Sequence, residues 1–355
     1  MKKYKCLIRG AYGAYNFGDD ALLDVIYTKL LTRFEPAEIG IWGSSESYIP
    51  NWYPQAGVIS KKDLYKVSCE NLIYGGGTQF YDFGKPRNKK QILGFLKSPG
   101  YAFNKIQNKL FNSGKKPVEY NNEIYMAVGL GPFKEGSKIK EDTLRRMERA
   151  KFVALRDEKS IAYAATREVD IIQTVDLCLS KEVDEGAKDS GRIAVILRDW
   201  AHTDSDYTIE HLYAQLSQLD LTRVDFVTFG KDSQLKEFIK DKGLSLYEWD
   251  PSSMTLDTFL KKLGRYEMIF SSRYHGVIYS VLLGVPVVAL PIEPKLIQAS
   301  KELDGVLLFD PNKRFTDYVD LITDNYENIV STLLETKKSK NQESNKTINL
   351  MLESL

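Results

Sequence analysis

Histidine and cysteine are scarce in this chain, with three of each in 355 residues. Cys6, Cys69 and Cys178 lie too far apart to form the close ligand pairs of a structural zinc site, and His202, His211 and His275 form no such pattern. No metal site is expected. Cys6 falls in an apolar run, which points to buried free thiols in a reducing compartment. An excess of one charge sign is also missing. The 49 Lys and Arg against 48 Asp and Glu leave a formal net charge of +1, which argues against nucleic acid as a global partner. Long apolar runs are absent too. The longest uncharged stretch, Gly276 to Ile292, is split by Gly284 and Pro286 and is too short to span a bilayer. The charged start Met1-Lys2-Lys3 leads directly into a strand pattern rather than into the apolar core of a signal peptide, so a cytoplasmic protein is expected. Neither the G-x-G-x-x-G dinucleotide fingerprint nor a P-loop with Gly-Lys-Ser/Thr follows the first strand.

Short apolar runs alternating with helical patterns fill both halves. Leu7-Ile8, 39–42, 72–74, 125–128, 152–155 and 171–174 read as strands in the first half. The corresponding runs in the second are 193–197, 224–229, 244–247, 268–270 and 287–290. Apolar strands separated by helices imply parallel sheets covered on both faces. With the length suited to two domains, the fold class is α/β, with two doubly wound, Rossmann-like domains facing a cleft in the GT-B manner. The expected boundaries are 1–180 for the first domain, 181–191 for a polar linker, 192–336 for the second domain and 337–355 for a polar tail or terminal helix.

Ser271-Ser272-Arg273-Tyr274-His275 follows the run Met268-Ile269-Phe270 and precedes an apolar helix pattern stopped by Gly284 and Pro286. A cation and a titratable imidazole thus fall at a strand's carboxyl end and a helix's amino end, where open α/β sheets bind ligands and anions are favoured. Taken alone, Arg273 and His275 would also suit a solvated helix cap. Arg198 ends another apolar run, however, and Lys295 follows a third, so these groups map to one sheet edge. Near the N-terminus, a strand runs into a loop holding Gly10, Gly13, Gly18, Asp19 and Asp20 ahead of a helix. Carboxylates in that position also serve as ordinary helix caps. Between 83 and 118, nine lysines and arginines occur without an acid and are interleaved with aromatics. Such a segment suits either a solvated insertion or peripheral contact with an anionic membrane.

Asn16-Phe17-Gly18-Asp19-Asp20, Gly75-Gly76-Gly77, Gly129-Leu130-Gly131-Pro132, Arg156-Asp157, Arg198 and Arg273-Tyr274-His275-Gly276 with Gly284-Val285-Pro286 occur in this order. Together they resemble the polysaccharide pyruvyl transferase family over roughly residues 5 to 300. The resemblance implies transfer of pyruvyl from phosphoenolpyruvate, as co-substrate with no cofactor, to two hydroxyls of a sugar in a cell-surface polysaccharide or its precursor, free or lipid-linked. By that resemblance Arg156, Arg273, His275 and Lys295 are donor-side residues, and Arg198 joins them by its strand end. Tyr12, Asn16, Gly18 and Gly76 are the candidates for the acceptor. His275 is the expected base, with a first-domain carboxylate, Asp19 foremost, as acid. Two alternatives stay open: a nucleotide-sugar glycosyltransferase of the same architecture, with Glu293 holding the ribose, and a non-catalytic sugar-binding homologue. The oligomeric state is not legible.

Overall fold

The computed structural model describes residues 1–43, 47–82, 118–184, 188, 191–198 and 208–355. The chain forms two compact units. The first comprises Met1–Ala14, Leu22–Leu177 and Asn345–Leu355, and the second comprises Tyr15–Ala21 and Cys178–Ser344. The basic segment 83–118 lies outside the described residues except for Val118.

The first unit holds β1 (Lys2–Arg9), β2 (Ile39–Trp42), β3 (Gly57–Ile59), β4 (Val67–Gly75), β5 (Thr78–Asp82), β6 (Glu119–Phe133), β7 (Phe152–Leu155) and β8 (Ile172–Gln173). They form a parallel sheet in the order β3-β2-β1-β4-β6-β7-β8, with β5 paired to β6 beside that path. Central strands such as β2 and β7 are buried at every residue, as expected for a sheet covered on both faces. The second unit holds β9 (Ile193–Ile196), β10 (Val224–Thr228), β11 (Leu246–Glu248), β12 (Met268–Ser271), β13 (Val287–Ala289) and β14 (Leu307–Leu308). Their order is β11-β10-β9-β12-β13-β14, again all parallel. In each sheet the winding direction reverses once, at β1/β4 and at β9/β12. The crevice at the carboxyl ends of such a fork is the usual ligand position of a doubly wound sheet.

The apolar runs all become strands, whereas β3, β5 and β14 were not anticipated. Leu307-Leu308 is too short to show a period, and Thr78–Asp82 carries no continuous apolar run. A second difference concerns the N-terminal loop, which was expected in the first domain. Residues 15–21 belong to the second unit because Phe17 is fully buried there. Its ring lies against Phe229, Trp249, Phe259 and Tyr279, with centroids 4.6 to 5.3 Å away. The Phe17 N–H donates to the Phe229 carbonyl at 2.9 Å, and the Trp249 indole donates to the buried Asp20 carboxylate at 2.9 Å. Burying one such ring contributes about 1.5–3 kcal/mol. The helix Phe17–Leu30 therefore starts in the second unit and continues in the first.

The tail is a helix, Tyr326–Ser354. Its end belongs to the first unit, where Ile348 and Met351 are buried and Thr347 Oγ1 donates to Thr174 Oγ1 at 2.7 Å. The three cysteines are free and buried, and burial pushes the Cys6 thiol up to about 12, where it is inert at neutral pH.

Candidate active site

The site is built where β9, β10, β12 and β13 of the second unit end. After β12, Ser271 closes the turn on itself. Its Oγ donates to the Arg273 carbonyl at 2.8 Å and accepts the Arg273 N–H at 3.1 Å. The Ser272 N–H donates to the Ile196 carbonyl at 2.8 Å, tying the turn to the end of β9. Arg273 then caps the helix Tyr274–Leu282, whose Gly276 to Leu282 stretch is wholly buried. A rigid helix thus fixes both Arg273 and His275 at the fork.

Each arginine there has a carboxylate from a neighbouring strand end. Arg198 Nη1 donates to Glu293 Oε1 at 3.1 Å, and Lys295 Nζ lies 3.0 Å from the same oxygen. Arg273 Nη2 pairs with Asp232, which begins the helix Ser233–Asp241 after β10. Burial works against the Arg198 charge and moves its pKa below the ordinary arginine value, Arg273 adding to this and Glu293 opposing it. For Glu293, burial alone would raise the pKa. Lys295 and Arg198 outweigh it and hold the carboxyl below its usual range.

From the first turn of the helix Phe17–Leu30 and the residue before it come Gly18, Asp19 and Asn16. The Asn16 amide donates to the Asp19 carboxylate, and the Asn16 carbonyl accepts the Asp20 N–H at 3.0 Å, starting the helix. Burial raises the Asp19 pKa, against the attraction of His275, Lys295 and Arg198. Gly18 sits directly against the His275 imidazole. A Cβ built on Gly18 would fall 2.1 Å from His275 Nδ1.

The structure therefore brings Arg198, Arg273, His275 and Lys295 together with Asn16, Gly18 and Asp19 in one unit. It corrects the expectation that the Asn16–Asp19 loop belongs to the other domain. The cations are also balanced by Asp232 and Glu293 rather than standing alone. Asp232 was not anticipated, because an aspartate before a helix reads as an ordinary cap. Its side chain turns to Arg273 instead and makes no cap hydrogen bond.

The remaining candidates lie in the first unit. Arg156 is buried, its Nη1 2.7 Å from Asp176 and its Nη2 donating to Thr78 Oγ1 at 3.1 Å. Tyr12, expected to meet the acceptor, is buried and donates its hydroxyl to the Gly75 carbonyl at 3.0 Å. Gly76, also an acceptor candidate, adopts a φ of 61°, suited to glycine, and its N–H donates to the Met126 carbonyl at 2.8 Å. These three side chains and groups hold the first unit together.

The structure is similar in fold to several solved proteins. Anabaena Alr3699/HepE, solved with UDP and glucose, gives a TM-score of 0.56 at 11% identity, covering 100% of both chains. The UDP-GlcNAc 2-epimerase of Neisseria meningitidis bound to UDP-GlcNAc gives 0.56 at 10% identity, over 99% of this chain and 100% of that one. MnaA of S. aureus with UDP gives 0.57 at 10% identity, over 99% of this chain and 95% of that one. At these identities the likeness shows the fold alone, and it is the expected GT-B type built from Rossmann-like domains. Among the described residues no helix is long and apolar enough to cross a membrane. Comparison with curated proteins gives no match. The sequence profile named Polysaccharide pyruvyl transferase matches residues 16–294, from the Asn16 loop to the start of the Pro294–Glu302 helix. Spanning most of the chain and every residue of the charged edge but Lys295, this match shows that the chain belongs to the polysaccharide pyruvyl transferase family.

Proposed function

We propose that the charged edge of the second unit binds phosphoenolpyruvate and transfers its pyruvyl group to two hydroxyls of one sugar as a ketal. The observation that carries this reading is the convergence of Arg198, Arg273 and Lys295 on one sheet fork with a titratable imidazole and a partly buried carboxyl. Phosphoenolpyruvate carries a phosphate and a carboxylate. Arg198 and Lys295 can exchange Glu293 for one of these anions, and Arg273 can exchange Asp232 for the other. Arginine suits both, because its fork meets two oxygens at once.

In this reading His275 takes the proton of the first sugar hydroxyl as its oxygen bonds to C2 of the donor. Asp19, whose pKa is raised by burial, delivers a proton to C3, converting the methylene to a methyl. Phosphate then departs from C2, the second hydroxyl closes the ring there, and that hydroxyl's proton leaves with the phosphate. Asn16 orients Asp19. The acceptor is a sugar of a polysaccharide or its precursor, free or lipid-linked, and no cofactor is invoked. Arg156 is left out of the donor set, since it is buried in the first unit rather than placed at this fork of the second.

The test is a ligand comparison with product analysis. Phosphoenolpyruvate should raise the melting temperature more than uridine or guanosine diphosphate sugars do, and sugar acceptors should release inorganic phosphate from it. Stabilisation by nucleotide sugars alone would move the protein to the glycosyltransferase reading.

A further inference from the structure

The first turn of the helix Phe17–Leu30 meets His275 so closely that residue 18 has no room for a side chain. A Cβ there would lie 2.1 Å from Nδ1, 2.8 Å from Cε1 and 2.8 Å from Cγ of the imidazole. Gly18 has no backbone need to be glycine. It is buried in a regular helical turn, where alanine is the better helix former. Its absent side chain therefore serves the ring. His275 is confined further by the edge-on ring of Tyr274, with centroids 5.5 Å apart at 85°. Its backbone is fixed in the buried helix Tyr274–Leu282.

We propose that Gly18 is a positioning residue for His275, setting the imidazole against the first turn that also carries Asp19. This rests on the reading of His275 as the base, and it reassigns Gly18 from the acceptor to the histidine. The hydrophobic anchor of the same segment, Phe17, holds that turn in place, so the ring and the carboxyl keep one geometry. A methyl at position 18 forces the nearest movable group, the imidazole, to swing away, while the helix itself gains propensity.

Gly18→Ala should fold with unchanged or higher thermal stability. In isotope-edited NMR of the full chain, the His275 imidazole signals should shift, while those of His211 stay put. The wild-type pH profile of kcat should lose its imidazole limb in Gly18→Ala. Turnover should fall by at least tenfold with little change in KM for phosphoenolpyruvate. Adding His275→Gln should cost less in Gly18→Ala than in the wild type, because both act through one ring. Unshifted His275 resonances in the folded Gly18→Ala protein would overturn the inference. Shifted resonances in a protein whose wild type shows no pyruvyl transfer would uphold the positioning role and overturn the proposed function instead.

Discussion

The two sheets wind alike, yet their forks are filled in opposite ways. At the β1/β4 fork, Arg9 is buried between two rings, its guanidinium carbon 4.2 Å from the Trp42 centroid and 4.9 Å from that of Tyr74. Its Nη1 donates to the Tyr74 hydroxyl at 2.9 Å, and Tyr74 stacks on Tyr125 with centroids 4.9 Å apart. Register explains the row: Arg9 pairs with Trp42 on one side and Tyr74 on the other, and Tyr74 with Tyr125, so all share a face. At the β9/β12 fork the arginines are only partly buried and face carboxylates. Aromatic rings packed on a cation leave nothing for a ligand to replace. A carboxylate partner differs, because an incoming carboxylate or phosphate offers the same oxygens. The same topology thus yields a fork closed by rings around its arginine in one unit and, in the reading proposed above, an open and exchangeable one in the other.

The largest test of that contrast is His275→Gln, which keeps a polar side chain of similar reach but cannot titrate. We expect kcat to fall by roughly two to four orders of magnitude with little change in donor KM. A variant with normal turnover and only a raised KM would make His275 a binding group and shift the proton chemistry to Asp19. Next, Arg273→Lys should weaken phosphoenolpyruvate binding by about one to two orders of magnitude, since one ammonium cannot reproduce a two-point contact. Titration calorimetry would measure it, and unchanged affinity would remove Arg273 from the donor set.

Arg9→Met is the matching experiment at the closed fork. It should lower stability by about 1–2 kcal/mol in denaturant unfolding, through lost ring contacts and the Tyr74 hydrogen bond, and leave donor affinity unaltered. Lost donor binding in a folded Arg9→Met protein would break the comparison.

The smallest effects concern two carboxyls of the open fork, which should respond to pH with opposite signs. Asp19 has its pKa raised above 3.8, so its ionised form opposes folding. The native state loses stability as pH rises from 3.8 through the folded pKa, and Asp19→Asn should raise the melting temperature at pH 7 but not below pH 3.8. Glu293 is held below 4.5, so its charge favours folding above that pH and the benefit fades as pH falls through the folded value. Glu293→Gln should therefore lower the melting temperature at pH 7, and the difference should shrink on acidification. Melting curves from pH 7 to 3 read both, and a common sign would contradict the assigned burial and pairing.

Sequence reading reached the strands and the open fork for the same reason. Arg198 follows an apolar run directly and Arg273 and Lys295 follow theirs within a few residues, and a parallel sheet carries the segment after each run to one edge. β14 was not anticipated because two residues cannot display a period. Tyr12 and Arg156 had the composition of ligand groups, but whether a polar tip meets a ligand or a neighbouring carbonyl depends on packing. Gly75 and Asp176 supplied those partners.

By itself, then, the order of apolar runs and breakers determined two parallel α/β units, and the ordered motifs determined the family. Tertiary structure alone decided which unit owns residues 15–21. That choice turns on where the Phe17 ring finds other rings to pack against, a contact between residues more than 200 positions apart. It also decided that Asp232 turns to Arg273 rather than capping its helix, and that Gly18 abuts His275. Local propensity is written in neighbouring residues, whereas close packing is settled only when distant side chains compete for the same space.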